Sequence, residues 1–283
     1  MKRKQLLYGG FILLECVLWG LGNPIIQLAG RIIPPFTSIA LRFWLAFAAL
    51  MLLFGRRVVR GLRGIRALPC LLVCVCTALA FTLGSFALMF TRATTAGFLL
   101  GIAVLFTPFL EPLLLKTRFQ WRILPVVLVV LFGMYLLCGG DGALVFGLGE
   151  WLAVLCSFVF ALMLALSEKY IVDMDPIALS TAQCATAGVL SLALALLLEG
   201  VYDVRTLPLS GIVAVVYLAL FSTCLAYILQ NKAMRHISAT YAALAFSTEP
   251  LFTALFSYLL LGETLTVQGA IGAAIVLAGV MYA

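Results

Sequence analysis

At 283 residues the chain has the length of one large water-soluble domain or two ordinary ones. Its composition excludes water as the main solvent: 65% of the residues are hydrophobic and 10% charged, against roughly 45–50% and about 25% in soluble domains, and the mean hydropathy is +1.20. The net charge of +7 sits on short loops between apolar runs, which reads as membrane orientation and argues against a nucleic-acid partner.

A helix needs about 20 apolar residues to cross the hydrocarbon core. Ten such stretches are expected, at 6–28, 34–54, 68–90, 93–115, 122–139, 149–170, 176–198, 209–231, 237–260 and 265–283. The start, Met1-Lys2-Arg3-Lys4 before an apolar run, has the look of a secretion signal. That run nevertheless holds Glu15, Trp19 and Pro24 and lacks a small-residue cleavage site, so it is expected to stay as the first membrane helix. Turn or charge clusters separate the spans at Arg31 to Pro35, Gly55 to Arg66, Lys116 to Gln120, Gly139 to Gly142, Asp173 to Pro176 and Gly200 to Pro208. Weaker breaks fall near Arg92 and Gly262-Glu263.

With the N-terminus inside, the inner ends hold Lys2, Arg3, Lys4, Arg56, Arg57, Arg60, Arg63, Arg66, Lys116, Arg118, Arg122, Lys169, Lys232 and Arg235. The outer side holds Arg31, Arg92 and Arg205, and Arg42 lies within a span; fourteen against three places both termini in the cytoplasm. The eight cysteines form no CxxC pair, and with His236 as the lone histidine they read as small apolar packing residues; no metal site is expected.

The chain also echoes itself. Pro35/Pro176, Trp19/Phe160, Arg42/Gln183 and Ala46/Ala187 share a spacing of 141. Ala87/Ala233, Ala93/Ala239, Leu113-Leu114-Leu115/Leu259-Leu260-Leu261 and Gly133/Gly279 share a spacing of 146. Two copies, 1–140 and 141–283, with five helices each must enter the membrane from opposite sides, an inverted-topology repeat typical of alternating-access carriers.

Trp19-Gly20-Leu21-Gly22-Asn23-Pro24 resembles the opening of EamA-type transporters of the drug/metabolite superfamily. So does Ser247-Thr248-Glu249-Pro250-Leu251-Phe252-Thr253-Ala254-Leu255 with Leu259-Leu260-Leu261-Gly262-Glu263-Thr264. Ala93-Thr94-Thr95-Ala96-Gly97-Phe98 with Pro108 resembles the matching segment of the first copy, where Lys116-Thr117 replaces the Gly-Glu pair and Pro108 is displaced by four residues from the 146 register. The resemblance spans the chain and implies a ten-helix all-α integral membrane protein of the cell (inner) membrane, working as a monomer because its halves supply the pseudo-dimer. Tyr8-Gly9-Gly10-Phe11-Ile12-Leu13-Leu14-Glu15 also resembles the first helix of small multidrug resistance transporters, whose acid exchanges protons for cationic drugs.

The candidate site residues are polar groups expected inside the membrane. Glu15 lies about nine residues into the first helix, roughly 13 Å deep, where an ionisable group faces a cavity or a partner; it either couples transport to protons or makes a structural hydrogen bond. Glu15, Trp19 and Asn23 share one helix face, and Trp19 offers a stacking wall or packs. Arg42 either binds a substrate carboxylate or phosphate or pairs permanently with Glu15 or Glu249. Glu249-Pro250 marks a helix break with a structural or gating role. Gln183, Gln230-Asn231, Tyr227 and Tyr241 are candidate hydrogen-bond donors to substrate. Glu111 is expected to pair with Lys116 or Arg118, and His236 to lie at the inner interface. Gly97-xxx-Gly101 and the glycines from Gly269 to Gly279 mark close packing, or a dimer face on the last helix.

No phosphate-binding GxxxxGK[ST], HExxH or GxSxG occurs, so neither ATP hydrolysis nor another enzyme activity is expected, and no cofactor. The sequence thus reads as a secondary transporter for a small amino acid-like metabolite, exporting it against a proton or substrate gradient. A multidrug exporter of aromatic cations is the alternative, with a membrane enzyme or a receptor scaffold further behind.

Overall fold

The computed structural model describes residues 2–91, 93–138, 146–262 and 264–282, apart from the side chains of 2–5, 93, 94 and 96, and all regular structure among them is helical. The expected break at Gly139 to Gly142, Arg92, Glu263 and the basic side chains of 2–4 lie outside what is described. The helices are α1 (Lys2–Ala29), α2 (Pro35–Arg63), α3 (Ala67–Phe90), α4 (Ala93–Gly101), α5 (Ala103–Leu115), α6 (Leu124–Leu137), α7 (Leu148–Tyr170), α8 (Pro176–Leu194), α9 (Leu209–Ala219), α10 (Ala226–Ala233), α11 (Ala239–Phe246), α12 (Glu249–Leu261) and α13 (Val267–Tyr282). Eight helical segments are long and apolar enough to cross a membrane, and the segments Trp121–Leu137 and Val267–Tyr282 are shorter apolar helices.

Local chemistry explains the ends. Pro35 and Pro176 open α2 and α8, where their missing N–H groups would have no intrahelical partner anyway. Asp175 caps α8, its Oδ1 accepting from the N–H groups of Ile177 and Ala178 at 2.9 and 3.1 Å. At the far ends, Gly262 (φ 71°) takes the left-handed turn that stops α12, and Gly200 (φ 78°) takes an extended positive-φ conformation open to glycine.

Helices α2 and α8 pack along one another, as do α3 and α7, α1 and α12, and α6 and α13. The last pair needs glycine: a methyl on Gly133 would lie 2.9 Å from the Gly272 carbonyl oxygen, so the backbones nearly touch. The small-residue face of α13 is thereby spent on α6 within the chain. Gly101 likewise lets Met134 lie against α4, whereas a methyl on Gly97 would meet nothing within 4 Å.

The spacings seen in sequence recur in three dimensions. The starts of α4 and α11, at Ala93 and Ala239, keep the 146 register, and so do those of α5 and α12, at Ala103 and Glu249. The interruption at Ile102 therefore matches the one at Thr248, although Pro108 is off register. Arg42 Nε donates to Thr223 Oγ1 at 2.9 Å and Gln183 Nε2 to Thr77 Oγ1 at 2.9 Å, a pair of bonds related by the 141 and 146 offsets. Cys16 Sγ bonds the Ala245 carbonyl at 3.4 Å, and Ser157 Oγ bonds the Leu99 carbonyl, related in the same way.

One end of the bundle gathers the basic residues. There the Arg57 guanidinium grips Asp175 at 2.8 Å, Tyr8 stacks on His236 at 3.8 Å, and α5 and α7 finish at Leu115 and Tyr170. At the opposite end, Glu199 accepts from the N–H groups of Phe36 and Thr37 at 2.7 Å, closing the start of α2 with a carboxylate.

Candidate functional site

Helix α1 supplies the centre. Its Gly20 and Gly22 admit close neighbours: a methyl on Gly20 would run into Phe252 on α12, and one on Gly22 would lie 2.5 Å from Ser222 Oγ. The side chains of Glu15, Trp19 and Asn23 project from the same helix one turn apart. Glu15 is fully buried and neither carboxylate oxygen accepts a hydrogen bond. Trp19 Nε1 donates to the Ser222 carbonyl at 2.8 Å, and its indole stacks on Phe246 at 5.4 Å, with Phe160 at 6.2 Å and Tyr227 at 6.5 Å. Trp19 and Phe160, the repeat-related pair, meet in this aromatic cluster. Asn23 Nδ2 donates to Glu249 Oε1 at 2.9 Å and to Thr253 Oγ1 at 2.8 Å, tying α1 to the helix that begins after the break.

The opposing wall is irregular backbone. Between α9 and α10 the chain widens into a π-helical stretch, Leu220–Leu225, a distortion often found at functional sites. Its Ser222 carbonyl receives both Trp19 and, at 3.4 Å, Arg42 Nη2. The Arg42 guanidinium lies over the rings of Phe43 (5.5 Å) and Phe81 (5.2 Å). Among the described residues it has no carboxylate partner; the ion pairs there are Arg57–Asp175 and Arg66–Asp173. A static pair of Arg42 with Glu15 or Glu249 is not what this structure contains. Tyr227 is buried between Phe43, Phe81 and Trp19.

Next to this cluster is a buried polar group of side chains. Asn231 Nδ2 donates to Gln183 Oε1 at 2.7 Å and to Ser180 Oγ at 2.9 Å, and Gln230 Nε2 points at Met163 Sδ at 3.5 Å. Gln230 Oε1 and Asn231 Oδ1 are buried with no donor. Together with the two oxygens of Glu15, the unpartnered buried side-chain atoms among the described residues are all acceptors.

Two expectations need correction. Tyr241 is 44% exposed, on the first turn of α11, lining a shallow depression with Glu111 and Arg118 at the basic end. Tyr241 is therefore not gathered with the other candidates, because its side chain faces outward from the first turn of the span. Glu111 accepts from the Thr240 N–H at 2.8 Å, serving the start of α11 beside Glu168, which accepts from Ala239 N–H at 2.7 Å. Its partner is thus a helix terminus in place of Lys116 or Arg118. Ser222, Thr223, Phe43 and Phe81 were not foreseen; the 146 spacing of Thr77 and Thr223 was the signal available for one of them. Among the described residues no three His, Cys, Asp or Glu side chains come together as a metal set.

The sequence matches the EamA-like transporter family twice, over residues 7–139 and 147–283. The chain belongs to the EamA-like transporter family. It is similar to an uncharacterized transporter of Archaeoglobus fulgidus, with 28% identity over 95% of this chain and 82% of the relative. A second uncharacterized transporter from that organism shares 26% identity, over 94% of this chain and 93% of the other. A solved crystal structure superposes with a TM-score of 0.74 over 98% of this chain and 94% of the other, at 19% identity, which establishes likeness of fold. This EamA-like protein is a multi-pass membrane protein, and its family is one of transporters.

Proposed function

We propose that this EamA-like protein is a proton-coupled secondary transporter that exports a small amino acid-like zwitterion by alternating access at the cluster of Glu15, Trp19, Arg42 and Tyr227. The observation that carries the reading is, among the described residues, a pair of buried groups without a counter-charge: the Glu15 carboxyl, which no donor reaches, and the Arg42 guanidinium, which bonds only a hydroxyl and a carbonyl. A ligand with an ammonium and a carboxylate answers both deficits, and the rings of Trp19 and Phe246 suit its apolar side chain. Without the ammonium, a proton on Glu15 fills the same role, so substrate and proton compete for one carboxyl. That competition is the physical basis of exchange.

The paired hydrogen bonds of Arg42–Thr223 and Gln183–Thr77, the matched interruptions of the α4–α5 and α11–α12 spans, and the double family match support an inverted 5+5 arrangement of ten spans with domains 1–140 and 141–283. The basic end then faces the cytoplasm under the positive-inside rule, in the cell membrane, with both termini there. Two half-bundles that already pack against each other support a functional monomer. The Arg57–Asp175 contact at one end and the Glu199–Thr37 contact at the other are both closed in this structure, and rocking of the halves would open one while keeping the other. An exporter of aromatic cations fits less well, because the buried Arg42 guanidinium would repel a cationic ligand.

The test is uptake of labelled amino acids and of a cationic dye into proteoliposomes under an imposed pH gradient. Saturable, gradient-dependent movement of a zwitterion supports the proposal. Dye movement with no zwitterion transported over a broad panel overturns it.

A further inference from the structure

At the basic end, the finish of α5, the finish of α7 and the loop between α10 and α11 enclose an open groove of about 660 Å³. Lys116, Lys169 and Arg235 line it together with Glu168. The charges do not cancel. The Glu168 carboxylate is turned to the Ala239 N–H at the start of α11. Arg235 is partly committed too, with Nε donating to the Ile171 carbonyl at 3.2 Å and Nη2 to that of Met174. The ammonium groups of Lys116 and Lys169 are left on exposed side chains at the groove, Lys169 passing over the Tyr170 ring at 5.3 Å.

Lys116 carries an independent sign of use. It is the one non-glycine among the described residues with a positive φ, 56°, a left-handed conformation that a Cβ disfavours. Its counterpart in the 146 register is Gly262, which caps α12 at φ 71°. One copy thus meets the same backbone demand with glycine, while the other keeps a lysine there against the backbone preference. The side chain so retained lines the groove.

We infer that this groove is a binding site for a phosphate group carried on a glycerol-type ester, held by Lys116 and Lys169. Lysine ammoniums recognise phosphate as point charges, and basic pockets between helices at the inner face suit phospholipid headgroups. Apolar side chains share the lining, among them Leu114, Val172 and Ile237, with Val172 71% exposed. An anionic phospholipid meets both kinds of lining, the phosphate on the lysines and the chains on the aliphatic side chains; a soluble glycerol phosphate shares only the first contact. The site is separate from the cluster around Glu15 and stands whether or not that cluster carries zwitterions.

The experiment titrates the purified full-length protein in neutral detergent with phosphatidylglycerol, phosphatidylcholine or glycerol 3-phosphate, reading thermal unfolding. Lys116→Gly, Lys169→Gln and, as a charge-matched control away from the groove, Arg60→Gln are run beside the wild type. Stabilisation by phosphatidylglycerol is expected in wild type and R60Q, with the half-saturating concentration raised about fivefold by loss of either lysine. Ligand-free K116G is expected to be at least as stable as wild type, because glycine suits φ 56°, so its loss of binding is not unfolding. Activity of phosphatidylglycerol alone identifies a membrane lipid as the source; equal activity of glycerol 3-phosphate identifies a soluble ester. The inference is overturned if neither phosphate probe discriminates K116G from wild type, if R60Q loses as much as K116G, or if phosphatidylcholine stabilises as well as phosphatidylglycerol.

Discussion

Glu15 shows how a single residue departs from the internal pattern to create chemistry. Its counterpart in the 141 register is Cys156, which bonds the Ala80 carbonyl at 3.0 Å and is satisfied there. The glutamate in the first copy has no such partner, and a buried carboxyl without donors is stable chiefly when a proton or a cation joins it. Glu15→Gln is therefore expected to abolish transport driven by a pH gradient while counterflow of labelled for unlabelled substrate continues in part; full retention of gradient dependence would contradict a coupling role. Arg42 makes the complementary case. Arg42→Lys keeps the charge but loses the planar fork that reaches Thr223 and Ser222. Half-saturating concentrations for carboxylate-bearing substrates are expected to rise on the order of tenfold, the loss of one charge-assisted bond, which initial rates of uptake in proteoliposomes would measure. Both residues were legible in sequence because charge inside an apolar run is conspicuous. Tyr241 was mistaken for an interior residue because a tyrosine near a span end looks the same whether it faces lipid headgroups or a cavity.

At the scale of elements, the interruptions matter most. The break before Pro250 was legible, since proline cannot donate to the ladder and Glu249 starts a new helix at that point. The matching break at Ile102 has no proline beside it, and the widened turn of Leu220–Leu225 has no sequence mark at all. Tertiary contacts accompany those two features, Met134 lying against Gly101 and Trp19 and Arg42 donating to the Ser222 carbonyl. Close packing of α6 on α13 gives a direct test: Gly272→Val places a branched side chain against the Gly133 carbonyl and the backbone of Leu137, and overpacking of this kind costs roughly 1–3 kcal/mol, readable as a lower unfolding temperature in detergent. The α2–α8 contact supplies a pH test. Burial acts to raise the Asp175 carboxyl, but the Arg57 guanidinium and the N–H groups of Ala178 and Ile177 outweigh it, leaving the group below its ordinary 3.8. A depressed carboxylate stabilises the fold above its unfolded value and ceases to do so as pH falls through the folded one. The stability gap between wild type and Asp175→Asn is thus expected to be full at neutral pH and to close below about pH 3.8; a gap unchanged at pH 3 would show that Arg57 does not govern it.

For the whole molecule, sidedness decides how every gate is read. Basic residues gathered at one end predict that a cysteine placed at Arg60 reacts with an impermeant maleimide only from the cytoplasmic side. One placed at Val201, 91% exposed beyond α8, is expected to react only from the opposite side. The native cysteines are buried apart from Cys138, which is partly covered, so background labelling is small. Labelling of both sites from one side would remove the inverted arrangement and, with it, the alternating opening of the two ends.

Sequence by itself determined the solvent, the approximate spans, the family and the short list of intramembrane polar residues. Each of these follows from local hydropathy and from motifs within one stretch of chain, because every backbone polar group in lipid must be satisfied inside its own helix. Tertiary structure alone decided which polar groups meet: that Arg42 bonds a threonine and a carbonyl on the π-helical stretch, that Asn23 holds Glu249, that Glu111 serves the start of α11, and that Glu15 is left without a donor. Those pairings join residues more than a hundred positions apart. They depend on helix rotation and on approaches of a few ångströms, which glycines such as Gly20 and Gly272 permit and which no periodicity within a single helix encodes.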